Sequence, residues 1–183
     1  MAVTTFDTLL TQGVRAGQIP ARTQQARDWY REAAGNRRRI NERSLIQSES
    51  SRFKSRMRIG DMYMFYYDPK HKETLPYYDR FPLVFPFKKA PGGFLGINMH
   101  YLPPQLRAQL MDALYSTTTN NKFDESTRLR ISYDILNKAS KFKFFAPTVK
   151  HYLGNHVKSR FVYMNPSEWD IAMFLPLQEF VGA

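Results

Sequence analysis

The chain has 183 residues, 43% hydrophobic and 15% aromatic, enough for one domain with an appendage or two very small domains. Its formal net charge is +11 and it has no cysteine. That excludes disulfides, thiolate nucleophiles and cysteine-ligated zinc, and directs attention to nucleic acid, anionic membrane or acidic protein as partners. No apolar run approaches the roughly 18 residues of a membrane span. The first twenty residues lack the basic start and apolar core of a secretory signal, so the expected setting is inside a cell, or inside a particle assembled there, with no membrane partner.

In chain order, Phe6, Leu9, Leu10 and Val14 recur at helical spacing, and Gly17 and Pro20 punctuate the end of a short helix. Residues 21–58 differ in kind. Ala21 to Ala34 can be helical, Gly35 and Asn36 interrupt, and Asn41 to Met57 is polar and Ser-rich. Residues 1–58 therefore read as a helical, basic and partly ordered N-terminal arm, and residues 59–183 as an α+β body. In the body, Asp61 to Tyr67 suits a strand. Phe81 to Lys88 is extended, but Pro82 and Pro86 deprive one side of two amides, which predicts an edge or bulged strand. Phe94 to Tyr101 is a third strand, with a bend at Gly96.

Pro103 and Pro104 open a helix whose Leu106, Leu110 and Leu114 share a face, and Asp124 is placed to cap a second with Leu129, Tyr133 and Leu136 on its apolar side. A third short helix is expected around Val149, Tyr152 and Leu153. Phe161 to Met164 and Asp170 to Leu175 read as closing strands. Strands at 61–101, helices at 104–157 and strands at 160–176 make an α+β class, with a small antiparallel, SH3-like β-barrel interrupted by helices as the expected arrangement.

The charge is concentrated. Residues 21–58 hold 11 Arg and Lys (Arg22, Arg27, Arg31, Arg37, Arg38, Arg39, Arg43, Arg52, Lys54, Arg56, Arg58) against four acids, a net +7. Residues 138–160 hold Lys138, Lys141, Lys143, Lys150, Lys158 and Arg160 with no acid, a net +6, which leaves −2 for everything else. Charge needed only for solubility would be spread out. Two cationic segments on a near-neutral body predict phosphate neutralisation, and apart from Arg22 these residues are the candidate nucleic-acid contacts. Phe142, Phe144 and Phe145 lie among the lysines; exposed aromatics beside cations stack on bases, but anchors in a core or loop are the expected role here. The competing reading is an arm that docks on an acidic protein.

Catalytic arrangements are weak. Asp61, Asp68, Glu73 and Asp79 are close in sequence, but no paired acid with a following Glu-x-Lys strand completes a nuclease pattern, and Asp68 before Pro69 suits a turn. His151 and His156 are five apart with Gly154 between them, a poor spacing for two metal ligands on a helix. His100, in a strand among aromatics, reads as a satisfied half-buried histidine. Gly92, Gly93 and Gly96 lack the Lys-Ser/Thr continuation of a phosphate loop. No enzyme, metal or cofactor is expected.

The run from Gly60 to Lys70, the segments Leu75-Pro76-Tyr77-Tyr78-Asp79 and Phe81-Pro82-Leu83-Val84, the run from Gly93 to Pro104, and Pro166-Ser167-Glu168-Trp169 together resemble the DNA end protector family of T-even-type tailed phages. The resemblance covers roughly residues 60–115 and 160–180. It implies a non-enzymatic protein of the virion and host cytoplasm that caps double-stranded DNA ends and blocks host exonuclease. It supplies no catalytic residues. The alternative is a structural protein of the phage neck, tail or baseplate, whose basic arm docks on acidic subunits of portal, neck or tail.

Overall fold

The structure, a computed structural model, describes residues 4–19, 23–37 and 40–182. Three helices come first: α1 (Thr5–Arg15), α2 (Gln24–Gly35) and α3 (Glu42–Ser48). Each starts where a side chain satisfies a free amide: Thr4, Thr23 and Asn41 accept from the N–H of Asp7, Ala26 and Ser44. Strands β1 (Phe53–Lys54), β2 (Met62–Met64), β3 (Tyr78–Asp79), β4 (Leu83–Ala90) and β5 (Gly93–Asn98) follow. Then come α4 (Pro104–Thr118), α5 (Glu125–Ala139), β6 (Val149–Leu153), β7 (Phe161–Met164), α6 (Trp169–Phe174) and β8 (Phe180–Val181). The class is α+β, as the sequence indicates.

Six strands form an antiparallel sheet in the order β1-β7-β2-β4-β5-β6, and β3 pairs with β8 apart from it. Strand alternation divides the sheet into two faces. Met62, Met64, Leu83, Phe85, Ile97, Val162 and Met164 join the main core under the helices. Tyr63, Phe65, Val84, Phe94 and Tyr152 make a second, aromatic cluster, with Phe161 packed against it. The centroid of the Phe94 ring, on β5, lies 6.2 Å from that of Phe161, on β7. Three strand spacings separate those strands, about 14 Å in a flat sheet. The aromatic face is therefore strongly concave. The curl stops short of closure: the order is open, ending in β1 and β6, and no closed barrel is found among the described strands.

The first 58 residues, expected as a helical, partly ordered basic arm, are helical and pack on the body. Phe6, Leu9, Tyr30, Ala34, Leu45 and Ile46 are buried in the same core as the sheet, and β1 pairs with β7. The apolar residues of this segment are few, but they are spaced to put one face of each helix on the core.

β4 is interior rather than an edge, lying between β2 and β5. β2 pairs with β4 only at Leu83 and Val84, so Pro86 falls beyond that ladder, and the register with β5 shifts between Pro86 and Lys88, the irregularity expected of a bulged strand. Gly96 serves a close approach instead of a bend: a Cβ there would sit 2.3 Å from Val84 Cγ1. Two further elements exchange type. Val149–Leu153 is strand β6, because its alternating side chains fit the two faces beside β5. Trp169–Phe174 is a helix, buried at five successive positions from Trp169 to Met173. A short, wholly buried apolar run has no periodicity to separate helix from strand.

Candidate nucleic-acid interface

Arginines of the first basic segment are partly consumed inside the chain. Arg27 and Arg31 lie one turn apart on α2 and meet Asp112 of α4 and Asp170 of α6. Arg31 Nε is 2.9 Å from Asp170 Oδ1 and its Nη2 is 3.3 Å from Asp112 Oδ1; Arg27 pairs with Asp112. Burial pushes the Asp170 carboxyl up to about 6, although both guanidiniums pull it down. Arg52 bridges two buried carboxylates, Glu49 at 2.7 Å and Glu168, and lies over the Phe6 ring. Arg58 pairs with Glu125 at the surface, and Arg37 donates to Gln12 Oε1 at 3.2 Å. Arg22, Arg38 and Arg39 lie outside the described residues.

The remaining cations face outward. Arg43, Lys54, Arg56, Lys138, Lys141, Lys143, Lys158 and Arg160 are exposed, and none forms an ion pair among the described residues. The two segments meet at the β1–β7 edge. Lys54 stands opposite Phe161, Arg160 sits 6.0 Å over the Phe53 ring, and Lys54 Nζ lies 5.9 Å from the Tyr163 centroid. They meet again across an open groove of about 1050 Å³, where Arg43 of α3 and Lys158, just before β7, share the lining with Tyr66 and Tyr67. Lys72 and Arg80 also line the groove, but Asp68 holds Lys72 at 2.9 Å and Glu179 holds Arg80 at 3.6 Å. Lys72 lowers the Asp68 pKa through a direct hydrogen bond, so the acid stays ionised and the lysine stays paired.

Charge counting missed Tyr66, Tyr67, Lys72 and Arg80. They belong to the near-neutral body, and each cation there has an acid nearby, so the net charge gave no signal. The aromatics among the lysines divide. Phe145 packs on the core, but Phe142 and Phe144 are 63% and 76% exposed, contrary to the anchoring role expected. They stand on the turn after α5, beside Lys141 and Lys143.

Lys150 differs from the other lysines. It is half-buried on β6, 4.3 Å over the ring of Tyr101, in a second cavity of about 320 Å³ that shares Tyr67 with the groove.

The histidines do not assemble into a site. His151 Nε2 contacts the Pro91 carbonyl at 2.9 Å and His156 Nδ1 contacts that of Asp68 at 2.8 Å. His100 is fully buried, and its Nδ1 is 2.7 Å from Asp79 Oδ2. Among the described residues no group of three or more His, Asp or Glu side chains is placed to hold a metal ion, and no helix is long and apolar enough to cross a membrane.

A family model described as the phage T4 terminal DNA protecting protein matches residues 5–183. Neither the curated proteins nor the solved structures compared with the chain include a match.

Proposed function

Because the chain belongs to the family of the phage T4 terminal DNA protecting protein, we propose that it binds the ends of linear double-stranded DNA and shields them from exonuclease by occupying them. The protein acts without catalysing a reaction, travels in the virion with the packaged DNA and works in the host cytoplasm. The observation that carries this reading is the groove where Arg43 and Lys158, one from each basic segment, face solvent with no carboxylate partner among the described residues.

Charge arrangement supports DNA as the occupant. Of the sixteen candidate contacts, four are paired with acids and two lie outside the described residues, which leaves ten cations without an ion pair among the described residues. A grip on roughly 6 to 10 phosphates makes affinity fall by about 10³ to 10⁵ between 50 and 200 mM salt. Arg43, Arg56 and Arg160 add a planar fork that matches phosphate oxygens. The curled sheet and its two cores form the rigid body that blocks the end once phosphates are held.

The alternative, a neck, tail or baseplate component, draws less support. Three arginines of its basic arm, Arg27, Arg31 and Arg52, are spent inside the chain on Asp170, Asp112, Glu49 and Glu168.

An exonuclease protection assay tests the reading. Linear duplex pre-bound to the protein is expected to resist digestion from its ends while remaining open to internal cutting by an endonuclease. Digestion at the rate of naked DNA, at protein concentrations that saturate binding, contradicts it.

A further inference from the structure

We propose that the 320 Å³ cavity beside the groove is a base-stacking pocket that receives one unpaired nucleotide from a DNA terminus, a step that rests on the end-binding reading. Its volume is at the small end of the roughly 300–1,000 Å³ range for ligand pockets, the scale of a single nucleotide. Its walls are tyrosine rings: Tyr67, Tyr77, Tyr78, Tyr101 and Tyr152. Tyr77 and Tyr101 lie nearly parallel, 25° apart with centroids at 5.8 Å. Leu75 and Tyr77, 41% and 45% exposed, add apolar surface to the lining that a ligand can reach from solvent.

A half-buried cation in the cavity defines the sign of the occupant. Lys150 is half-buried, covers the Tyr101 ring and has no ion pair among the described residues. Burial lowers its pKa, the mark of a charge short of compensation. A phosphate beside Nζ supplies that compensation. Lys70 adds a second cation to the lining, which also holds His71 and His151.

The cavity's carboxylate is already spoken for. Asp79 accepts from the amide of Phe81 at 3.0 Å, from Asn98 Nδ2 at 3.0 Å and from the amide of Glu179 at 3.3 Å, and contacts His100 Nδ1 at 2.7 Å. Asn98 Oδ1 in turn accepts from the His100 amide at 3.0 Å. Asp79 has no lone pair left to read a base edge. Recognition therefore comes from ring faces and phosphate charge, which accept every base. An end protector has the same need, since it must cap termini without choosing among bases.

Position supplies the last link. Tyr67 walls both cavities, and one turn carries Lys72 into the groove and Lys70 and His71 to the pocket. A duplex whose backbone lies along Arg43 and Lys158 brings its last nucleotide to the pocket, where unpairing costs least because that nucleotide stacks on one side only.

The test is direct titration of the full-length protein with a 5′-phosphorylated thymidine trinucleotide, read by intrinsic tyrosine fluorescence. Saturable binding is expected. Tyr77→Ala, at an exposed position, weakens it about 5- to 100-fold, as does replacing the trimer by an abasic one. Lys150→Gln reduces its salt dependence while leaving the circular dichroism spectrum unchanged. No binding by the wild type, or equal binding by Tyr77→Ala, overturns the proposal. Equal affinity for the abasic trimer shows phosphate contact alone and also overturns it, as does equal competition by an acidic tyrosine peptide. The trimer has no duplex end, so a failed pocket leaves end preference standing. Equal binding of linear and circular duplex removes the end-binding reading, and with it the terminus as the source of the nucleotide.

Discussion

Arg31 and Arg43 stand twelve residues apart in one cationic stretch, yet their surroundings are opposite. Arg31 reaches into the junction of α2, α4 and α6 and holds the buried Asp170 at 2.9 Å, while Arg43 projects from α3 into an open groove with no ion pair among the described residues. The same contrast separates Arg52, clasped by Glu49 and Glu168, from Lys54 two residues later. Net charge in a segment is therefore a poor measure of charge offered to a ligand. What matters is whether the fold brings a distant acid to each cation, and Asp112, Glu168 and Asp170 come from more than eighty residues away.

Cutting the inward set gives the largest expected effect. Asp170→Ala leaves the Arg27 and Arg31 guanidiniums short of a partner and should cost about 3–5 kcal/mol of stability, measured by urea unfolding. DNA affinity per folded molecule should not change. A stability loss under about 1 kcal/mol would place these arginines with the outward set.

Cutting the outward set should do the reverse. Arg43→Gln with Lys158→Gln should leave stability within about 0.5 kcal/mol. Each lost phosphate contact removes about 0.9 from the log–log salt slope, so two contacts weaken binding about 60-fold near 0.1 M salt. An unchanged slope would mean that the groove is not the contact.

A smaller effect is confined to acid. Hydrogen bonds from His100, Asn98 and the Phe81 amide, with the attraction of His100, overcome desolvation and hold the Asp79 pKa below 3.8. The folded state thus binds that proton less tightly than the unfolded chain. Its contribution to stability is present above 3.8 and is lost as pH falls through the lower folded value. Asp79→Asn should flatten the acid limb of stability against pH; an unaltered limb would contradict the assignment.

The smallest effect belongs to the exposed rings. Phe142→Ala with Phe144→Ala should shift stability by no more than about 0.5 kcal/mol, since neither is in the core. A larger loss by thermal unfolding would return them to the anchoring role.

Much of this fold is readable in the chain. Asp124 caps α5, Pro104 opens α4, and Met62 to Met64 and Phe161 to Met164 are strands, because local capping and the strand preference of aromatic-rich runs decide them. The misreadings share a cause in long-range contacts. Val149–Leu153 became a strand because β5 offers an edge, and Trp169–Phe174 became a helix because it is enclosed on every side. Of the candidate interface, Arg43, Lys158, Lys150 and their neighbours were visible as charge. The tyrosines of groove and pocket were not: Tyr66, Tyr67, Tyr77 and Tyr101 carry no charge signal, and only the tertiary fold brings Tyr66 to the groove, Tyr77 and Tyr101 to the pocket and Tyr67 to both.

The most direct measurement is binding to one DNA in two forms, linear and closed into a circle, titrated from 50 to 200 mM salt. Tighter binding to the linear form, with a log–log slope of about −5 to −9, is the result expected of a groove that grips phosphates at an end. Equal affinity for the two forms, or a slope near zero, would contradict it.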